Sequence, residues 1–247
     1  ASEPTARVKG YNWSMQWLKQ AILRQSQKAR ARRGELFRKL LQPTENDKIL
    51  DLGGGDGSHI ASILPFRQNV TIADIDTKAL KQAKERFGFQ TVRIPESGQL
   101  PFPDQYFDIV FCSSVIEHVT VPKAEIYLCR NGREFARRAF ESQRQFAEEI
   151  RRLGKRYFVQ TPHRYFLIES HTWLPLPVTL LPRPFLLRLI PFLNRFWIKR
   201  TQPDWHLLTP NMMKHLFPEA QIWIERWYGF PKSIVAFKNT NERNDST

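Results

Sequence analysis

A buried apolar run that breaks into alternating glycines constrains the fold of this chain more than any other feature. Ile49 to Leu52 has the apolar character of a strand inside a sheet, and Gly53, Gly55 and Gly57 follow at every second position. Glycine tolerates positive φ and lets a backbone approach a ligand closely, and a helix that starts here offers unpaired N–H groups. The segment therefore predicts a strand–turn–helix unit that binds a nucleotide-like ligand.

A second predicted strand ends in a carboxylate. The apolar run from Val70 to Ile72 leads to Asp74, seventeen residues after Gly57. A carboxylate at this place can accept hydrogen bonds from both hydroxyls of a ribose. Asp51 and Asp56 flank the glycine turn, and they suit a cationic ligand while they repel a diphosphate. The charges favour a cationic nucleoside over a dinucleotide.

This pattern resembles the first motif of the class I S-adenosylmethionine-dependent methyltransferases, in which an acidic residue precedes three alternate glycines. The resemblance covers residues 48 to 119 and implies S-adenosylmethionine as the cofactor. In that family an acidic residue four positions before a Leu-Pro-Phe segment binds the adenine amine, and Glu96 takes this place although Asp is usual. The resemblance assigns to the cofactor site Asp51, Gly53, Gly55, Gly57, Asp74, Ile75, Glu96, Ser97 and Ser113.

The order of the predicted elements indicates an α/β fold. Together with the resemblance, it implies a doubly wound, mostly parallel seven-stranded sheet of the Rossmann-like methyltransferase type, with N-terminal helices and an α-helical cap insertion. Beyond the first two strands, the chain has strand-like runs at Thr91–Ile94, Phe107–Cys112, Arg156–Gln160, Ile222–Trp227 and Ser233–Phe237. We expect the last two to form an antiparallel hairpin.

Five segments are predicted along the chain, because charge and hydropathy change at their borders. They are basic N-terminal helices that cover the cofactor cleft (1–45), the S-adenosylmethionine-binding core (46–170), an apolar and basic cap insertion (171–210), the final helix and strand hairpin of the core (211–238), and a disordered tail (239–247).

Residues that follow the fourth strand are the catalytic candidates. In open α/β sheets a ligand lies beyond the carboxyl ends of the strands, where Ile116-Glu117-His118-Val119 is placed. An imidazole loses its proton at about pH 6.5 and can accept the proton of a hydroxyl. We predict that His118 orients and deprotonates the methyl acceptor, helped by Glu117 and His171.

The Ile-Glu-His-Val segment is similar to two methyltransferase branches and leaves the acceptor open. One branch comprises ubiquinone-pathway O-methyltransferases, which implies a small, amphipathic or lipid-linked acceptor. The other methylates the 2′-hydroxyl of small RNAs with a divalent metal, but Ser114 stands where its first carboxylate should be. Metal dependence is the less favoured interpretation, and we assign no metal ligand. A third alternative is a cofactor-binding scaffold without catalysis.

Charge points to an anionic partner without naming it. The net charge is +14, and residues 121–200 hold 16 basic and 6 acidic side chains. Anionic lipid headgroups, phosphorylated small molecules and RNA all fit such a surface. Within the cap, the longest uncharged run, residues 172–182, is shorter than the ~20 residues of a membrane span. We therefore expect a cytoplasmic protein that can bind peripherally to a membrane; the oligomeric state stays open.

Overall fold

Alternating strands and helices build one central sheet. The computed structural model describes residues 10–166, 181–195 and 200–239. Its strands are β1 (Ile49–Leu52), β2 (Val70–Asp74), β3 (Gln90–Arg93), β4 (Phe107–Ser113), β5 (Gly154–Pro162), β6 (Gln221–Trp227) and β7 (Phe230–Lys238). Its helices are α1 (Gly10–Leu41), α2 (Ser58–Ile63), α3 (Thr77–Phe87), α4 (Gly132–Leu153), α5 (Arg183–Leu193) and α6 (Pro210–Leu216), with short 3₁₀ helices at Ile116–His118 and Lys123–Glu125.

The sheet confirms the predicted architecture. Its strand order is β3-β2-β1-β4-β5-β7-β6. The first five strands pair in parallel, while β7 runs antiparallel to both β5 and β6. Because the chain moves to opposite sides of β1 to form β2 and β4, the strand order reverses between β1 and β4. In open α/β sheets, ligands bind in the crevice beyond the carboxyl ends of the strands at such a point.

Two apolar layers cover the two faces of the sheet. Alternate residues of β4 belong to different layers: Val110 packs with residues of α4 and α6, whereas Ile109 and Phe111 pack with residues of α1, α2 and α3. Successive side chains of a strand point to opposite faces, so a strand buried on both sides is apolar throughout. This is why β4, which lies near the middle of the sheet, is apolar along most of its length.

The N-terminal segment forms one helix where we predicted several. Helix α1 runs from Gly10 to Leu41 without a break. Gly34 does not interrupt it, because a Cβ at this position would lie 2.7 Å from Cγ1 of Ile63, and the glycine allows α1 to pack closely on α2. Phe37 anchors the helix, with its ring 4.8 Å from that of Phe111 and 5.5 Å from that of Phe158.

Part of the predicted cap lies outside the described residues, namely 171–180 and 196–199, and so does the predicted tail from residue 240 onward. Within the described part, Ile190 of α5 packs with Trp205 and Leu207. Thr209 caps the start of α6, since its hydroxyl accepts a hydrogen bond of 3.3 Å from the N–H of Met212. No helix in the described ranges is both long and apolar enough to cross a membrane.

Candidate active site

The glycine turn after β1 has the backbone conformation that its sequence predicts. Gly53, Gly55 and Gly57 have φ angles of 75°, 56° and 71°, in the left-handed region that favours glycine. A Cβ on Gly53 would lie 2.5 Å from Val115, and one on Gly57 would lie 2.9 Å from Phe89. A Cβ on Gly55 would meet no described atom within 4 Å, so a ligand can approach the backbone there.

Asp51 lies directly beneath this turn. Asp51 is 3% exposed, and an ideal Cβ built on Gly54 would be 2.4 Å from the Oδ2 atom of Asp51. Within the described residues, Oδ2 has no hydrogen-bond partner. Burial, and to a lesser degree the charge of Asp74, raises the pKa of Asp51 to about 8. A cation bound at the turn would therefore favour the ionised form of this carboxyl group.

Asp74 connects the glycine turn to the end of β2. Its Oδ2 accepts a hydrogen bond of 2.9 Å from the N–H of Gly55, and its Oδ1 accepts one of 2.9 Å from the N–H of Asp76. These bonds hold the carboxylate beside the part of the turn that faces open space. Ile75, the next residue, is partly buried against the core. The structure thus brings Asp51, Asp74 and the glycines together, as predicted.

A buried amide and an arginine meet at the carboxyl end of β4. The Oε1 atom of Gln160 accepts hydrogen bonds from the hydroxyls of Ser113 at 2.8 Å and Ser114 at 3.2 Å. It also accepts one of 2.6 Å from Nη1 of Arg33, which reaches over from α1. The same Nη1 lies 3.0 Å from the Ser114 hydroxyl. Burial lowers the pKa of Arg33, but a guanidinium stays charged in proteins, so this side chain brings positive charge to the strand end.

Glu117 and His118 point to different surroundings. Glu117 is fully buried, and its Oε2 accepts a hydrogen bond of 3.0 Å from the hydroxyl of Thr161. The side chain of His118 is 37% exposed, and its Nδ1 lies 3.1 Å from Oδ1 of Asp204. His118 and Asp204 therefore form an imidazole–carboxylate pair at the mouth of the crevice, while the carboxylate of Glu117 lies below the surface.

A family model described as a methyltransferase domain matches residues 50–156. The match includes β1, the glycine turn, Asp74 and all of β4, which together build the crevice. Residues 50–156 are thus a methyltransferase domain of the S-adenosylmethionine-dependent type.

Curated relatives of this methyltransferase are similar over a part of their length. A demethylmenaquinone methyltransferase of Tropheryma whipplei is 33% identical over 87 residues, which are 33% of this chain and 36% of that protein. A ubiquinone/menaquinone biosynthesis C-methyltransferase of Zymomonas mobilis subsp. mobilis is 32% identical over 89 residues, 34% of this chain and 37% of that protein. The chain thus matches little more than a third of each relative.

A solved structure is similar to this chain at low identity. It is a SAM-dependent methyltransferase from Aquifex aeolicus, 14% identical, and the alignment covers 77% of this chain and 80% of that chain with a TM-score of 0.42.

The residues of the crevice fit S-adenosylmethionine, the cofactor of the family. This molecule carries an ammonium and a sulfonium cation, and Asp51 offers a buried carboxylate oxygen without a described partner. The open space at Gly55 and the carboxylate of Asp74 beside it suit the close approach of a nucleoside. The charge, the shape and the hydrogen-bond acceptors of the crevice therefore all match S-adenosylmethionine.

The predicted adenine ligands lie on an exposed loop. Glu96 has a side chain that is 50% exposed, and its Oε1 is 4.0 Å from Nζ of Lys123. Ser97 is also exposed. The described contacts do not connect either residue with the glycine turn, so their role at the adenine stays a prediction.

Two further histidines of the methyltransferase are buried. The Nδ1 of His206 lies 2.9 Å from Oε1 of Gln143, and burial lowers the pKa of His206 to about 4. The Nδ1 of His163 accepts a hydrogen bond of 3.1 Å from the N–H of Tyr165. His171 lies outside the described residues, so its predicted contact with the acceptor stays a prediction. The described residues contain no group of three or more His, Cys, Asp or Glu side chains that could hold a metal ion.

Arg33 and Asp204 are two residues of the site that the sequence did not reveal. Each meets its partners from far along the chain: Arg33 and Ser114 are 81 positions apart, and His118 and Asp204 are 86 positions apart. Arg33 stands in a run with Arg30 and Arg32, which has the appearance of a solvated basic helix face. A signal for Asp204 is its place directly before the Trp-His-Leu-Leu-Thr-Pro segment that begins the final helix.

Proposed function

We propose that this protein transfers the methyl group of S-adenosylmethionine to a hydroxyl of a small amphipathic or lipid-linked acceptor. The observation that carries the proposal is the pairing of His118 with Asp204 at 3.1 Å, directly after β4. A carboxylate on Nδ1 favours the tautomer with its proton on that nitrogen, and Nε2 is then the basic nitrogen of the ring. Such an oriented imidazole is a suitable general base for a hydroxyl.

The reaction needs few groups from the protein. S-adenosylmethionine supplies a methyl group on a positively charged sulfur, which is already a good leaving group. His118 would take the proton of the acceptor hydroxyl, so that the acceptor oxygen becomes the nucleophile for this methyl group. Asp204 keeps the imidazole in place and stabilises its protonated form. Most of the acceleration comes from holding donor and acceptor in line, which in well-oriented systems contributes up to about 7–11 kcal/mol.

The donor would be held by protein groups of both charges. Asp51 faces the cationic part, Asp74 accepts hydrogen bonds from the ribose, and the glycines allow close approach. The carboxylate of the donor requires a positive partner. Arg33 is the candidate, because among the described residues its guanidinium donates hydrogen bonds to neutral oxygens, those of Ser113, Ser114, Gln160 and Ala29. Glu117, which is buried against Thr161, then acts as a positioning residue for the segment that carries His118.

Methylation at carbon is a second candidate, because the similar protein from Zymomonas mobilis subsp. mobilis is a C-methyltransferase. Removal of a phenol proton makes the oxygen nucleophilic and also increases electron density on ring carbons ortho and para to it. The same His118–Asp204 pair can therefore serve both reactions. Which atom receives the methyl group depends on how the acceptor lies in the crevice.

Contact with an anionic membrane surface fits an amphipathic acceptor. Helix α5 exposes Phe185 and Phe192, which are 53% and 58% exposed, and the same segment carries Arg188 and Arg195. Apolar side chains beside cations are typical of segments that lie in a membrane interface. The protein would then act as a cytoplasmic enzyme that binds peripherally to the membrane.

Transfer of a labelled methyl group from S-adenosylmethionine to dihydroxybenzenes with a short prenyl chain tests the function. We expect His118→Ala and Asp204→Asn to lower the transfer rate about hundredfold or more while donor affinity is kept. His215→Ala, which removes an exposed histidine of α6, serves as the control and should leave the rate unchanged.

Three results would speak against this proposal. Full activity of His118→Ala would exclude the base. If a chelator abolished methyl transfer and small RNAs were methylated, the alternative of a metal-dependent RNA methyltransferase would be favoured. Donor binding without transfer to any of these phenols would favour the scaffold alternative. The NMR spectrum of the product decides between oxygen and carbon as the methylated atom, because the two products have the same mass.

A further inference from the structure

A second recess lies beside the His118–Asp204 pair. It has a volume of about 730 Å³ and lies between the start of α4, the start of α5 and the segment that leads to α6. Pro203 and Trp205 line it, and Asp204 stands between these two residues in the chain. We call this recess the arginine cleft, after its lining residues Arg130, Arg133, Arg164 and Arg183.

The arginine cleft is strongly positive. Its lining contains four arginines and, among the described residues, neither aspartate nor glutamate. Arg183 forms a fixed part of the wall: its guanidinium donates to the carbonyls of Cys129 at 2.6 Å, Ile126 at 2.7 Å and Pro203 at 3.2 Å. It also stacks on the Phe135 ring, with its central carbon 3.3 Å from the ring centroid. These partners are neutral, so the positive charge of Arg183 persists.

The other three arginines are available to a ligand. In the described part of the chain, the side chains of Arg130, Arg133 and Arg164 have no hydrogen bond and no ion pair. Arg130 and Arg133 are exposed and Arg164 is half-buried. The start of α4 does not itself need an anion, because the side chain of Asn131 already accepts hydrogen bonds from two of its N–H groups. The guanidinium groups therefore dominate the positive potential of the cleft.

His206 adds a hydrogen-bond acceptor to the same wall. The residue is 9% exposed and lines the cleft. The Nε2 of Gln143 donates to the carbonyls of Ile116 and His206, so its Oε1 must accept from the Nδ1–H of His206. This leaves the Nε2 of His206 unprotonated and without a partner among the described residues. Burial and the nearby charge of Arg164 lower the pKa of His206 to about 4, and the ring stays neutral.

We infer that the arginine cleft binds the phosphate group of an amphipathic organic phosphate, and that this molecule is the methyl acceptor. Three arginines suit an anion with several oxygens, and the Nε2 of His206 can accept a hydrogen bond from a hydroxyl of the same ligand. Leu181, Leu186 and Trp205 provide an apolar wall for its tail. The volume is that of a small-molecule site. This inference rests on the proposed function and specifies its acceptor.

Calorimetric titration with octyl phosphate, below the concentration at which it forms micelles, tests the site without methyl transfer. We expect saturable binding at one site. Arg133→Ala and Arg164→Ala should each weaken it about tenfold or more, since hydrogen bonds to charged groups are lost. Arg137→Ala is the matched control, because this exposed arginine lies one turn along α4 from Arg133 and does not line the cleft.

Two comparison ligands separate the sources of the phosphate. Inorganic phosphate should bind more weakly than octyl phosphate. Equal affinity for the two would show a site for phosphate alone and would overturn the proposal that the ligand is amphipathic. Octanol should not bind. The proposal that the arginine cleft binds phosphate would be overturned if octyl phosphate did not bind, or if the wild type and the Arg133→Ala and Arg164→Ala variants bound it equally. His118→Ala should keep octyl phosphate binding, so a failure of the proposed catalysis and a failure of the cleft give different results.

Discussion

The backbone N–H of Gly55 donates a hydrogen bond of 2.9 Å to Oδ2 of Asp74. This bond joins the most open glycine of the turn to the end of β2. The carboxylate is therefore already oriented toward the place where a nucleoside ribose would lie. Side chains held in this way lose little conformational freedom when a ligand binds, which increases affinity.

Replacing Asp74 should separate donor binding from folding. We expect Asp74→Ala to weaken S-adenosylmethionine binding by about 10- to 100-fold, as the loss of hydrogen bonds to a charged group predicts. The control is Asp76→Ala. Asp76 caps α3 by accepting hydrogen bonds from Lys78 and Ala79, so its loss should cost about 1 kcal/mol of folding stability and leave donor affinity nearly unchanged. Calorimetry and thermal unfolding measure the two effects, and equal affinity losses would contradict the assignment.

Two glycines with similar backbones should respond differently to a methyl group. Gly55 and Gly88 have φ angles of 56° and 73°, and a Cβ on either would meet no described atom within 4 Å. Gly55→Ala and Gly88→Ala should therefore each cost roughly 1–2 kcal/mol of stability for the left-handed conformation. Donor binding should be lost in Gly55→Ala alone, because its methyl group occupies the space of the ligand. Unchanged binding by Gly55→Ala would show that the donor lies elsewhere.

The raised pKa of Asp51 predicts that donor affinity rises with pH. In the free protein this carboxyl group has a pKa of about 8, so at pH 6 it is mostly protonated. A cationic donor favours the ionised form, and binding then releases a proton. Affinity should increase with pH by up to about tenfold per unit between pH 5.5 and 7.5, below the range of about 7.7–8.0 in which an α-amino group loses its charge.

Titrations in buffers of different ionisation enthalpy measure the released proton directly. Asp51→Asn should bind more weakly and without this pH dependence. A flat affinity profile of the wild type would show that the protonation of Asp51 does not change on binding, and would contradict this prediction.

The strands and the glycine turn could be predicted because local sequence determines them. The run from Phe107 to Cys112 was predicted as a buried strand, and β4 runs from Phe107 to Ser113. The three alternate glycines have the positive φ that their spacing indicated. In both cases the cause lies within a few residues: burial on two faces requires apolar side chains throughout, and a left-handed backbone favours glycine.

The chemistry at the strand ends was only partly predictable. Glu117 and His118 were expected to act together, yet the first is buried and the second is exposed. They lie in a 3₁₀ helix, where neighbouring residues point about 120° apart because a turn has about three residues. The partner of His118 comes from a segment 86 residues away, and no local pattern reports which distant side chain a loop will bring near.

Arg33 is the last candidate for a direct test, because it links α1 with the crevice. Its Nη1 bonds to Gln160 at 2.6 Å and lies 3.3 Å from Ser113 at the end of β4. If the guanidinium pairs with the carboxylate of the donor, Arg33→Met should weaken S-adenosylmethionine binding about tenfold or more. Decarboxylated S-adenosylmethionine should bind equally to wild type and variant, because it lacks the group that Arg33 would recognise.

Arg32→Met controls for the loss of one charge from the basic helix, since Arg32 is exposed on the same turn of α1. It should not change the affinity for either ligand beyond a small screened effect. If Arg33→Met weakened the binding of both ligands equally, Arg33 would support the strand end through Gln160. The donor carboxylate would then require another partner. Preference of the wild type for the carboxylated donor, absent from Arg33→Met, would establish α1 as part of the cofactor site.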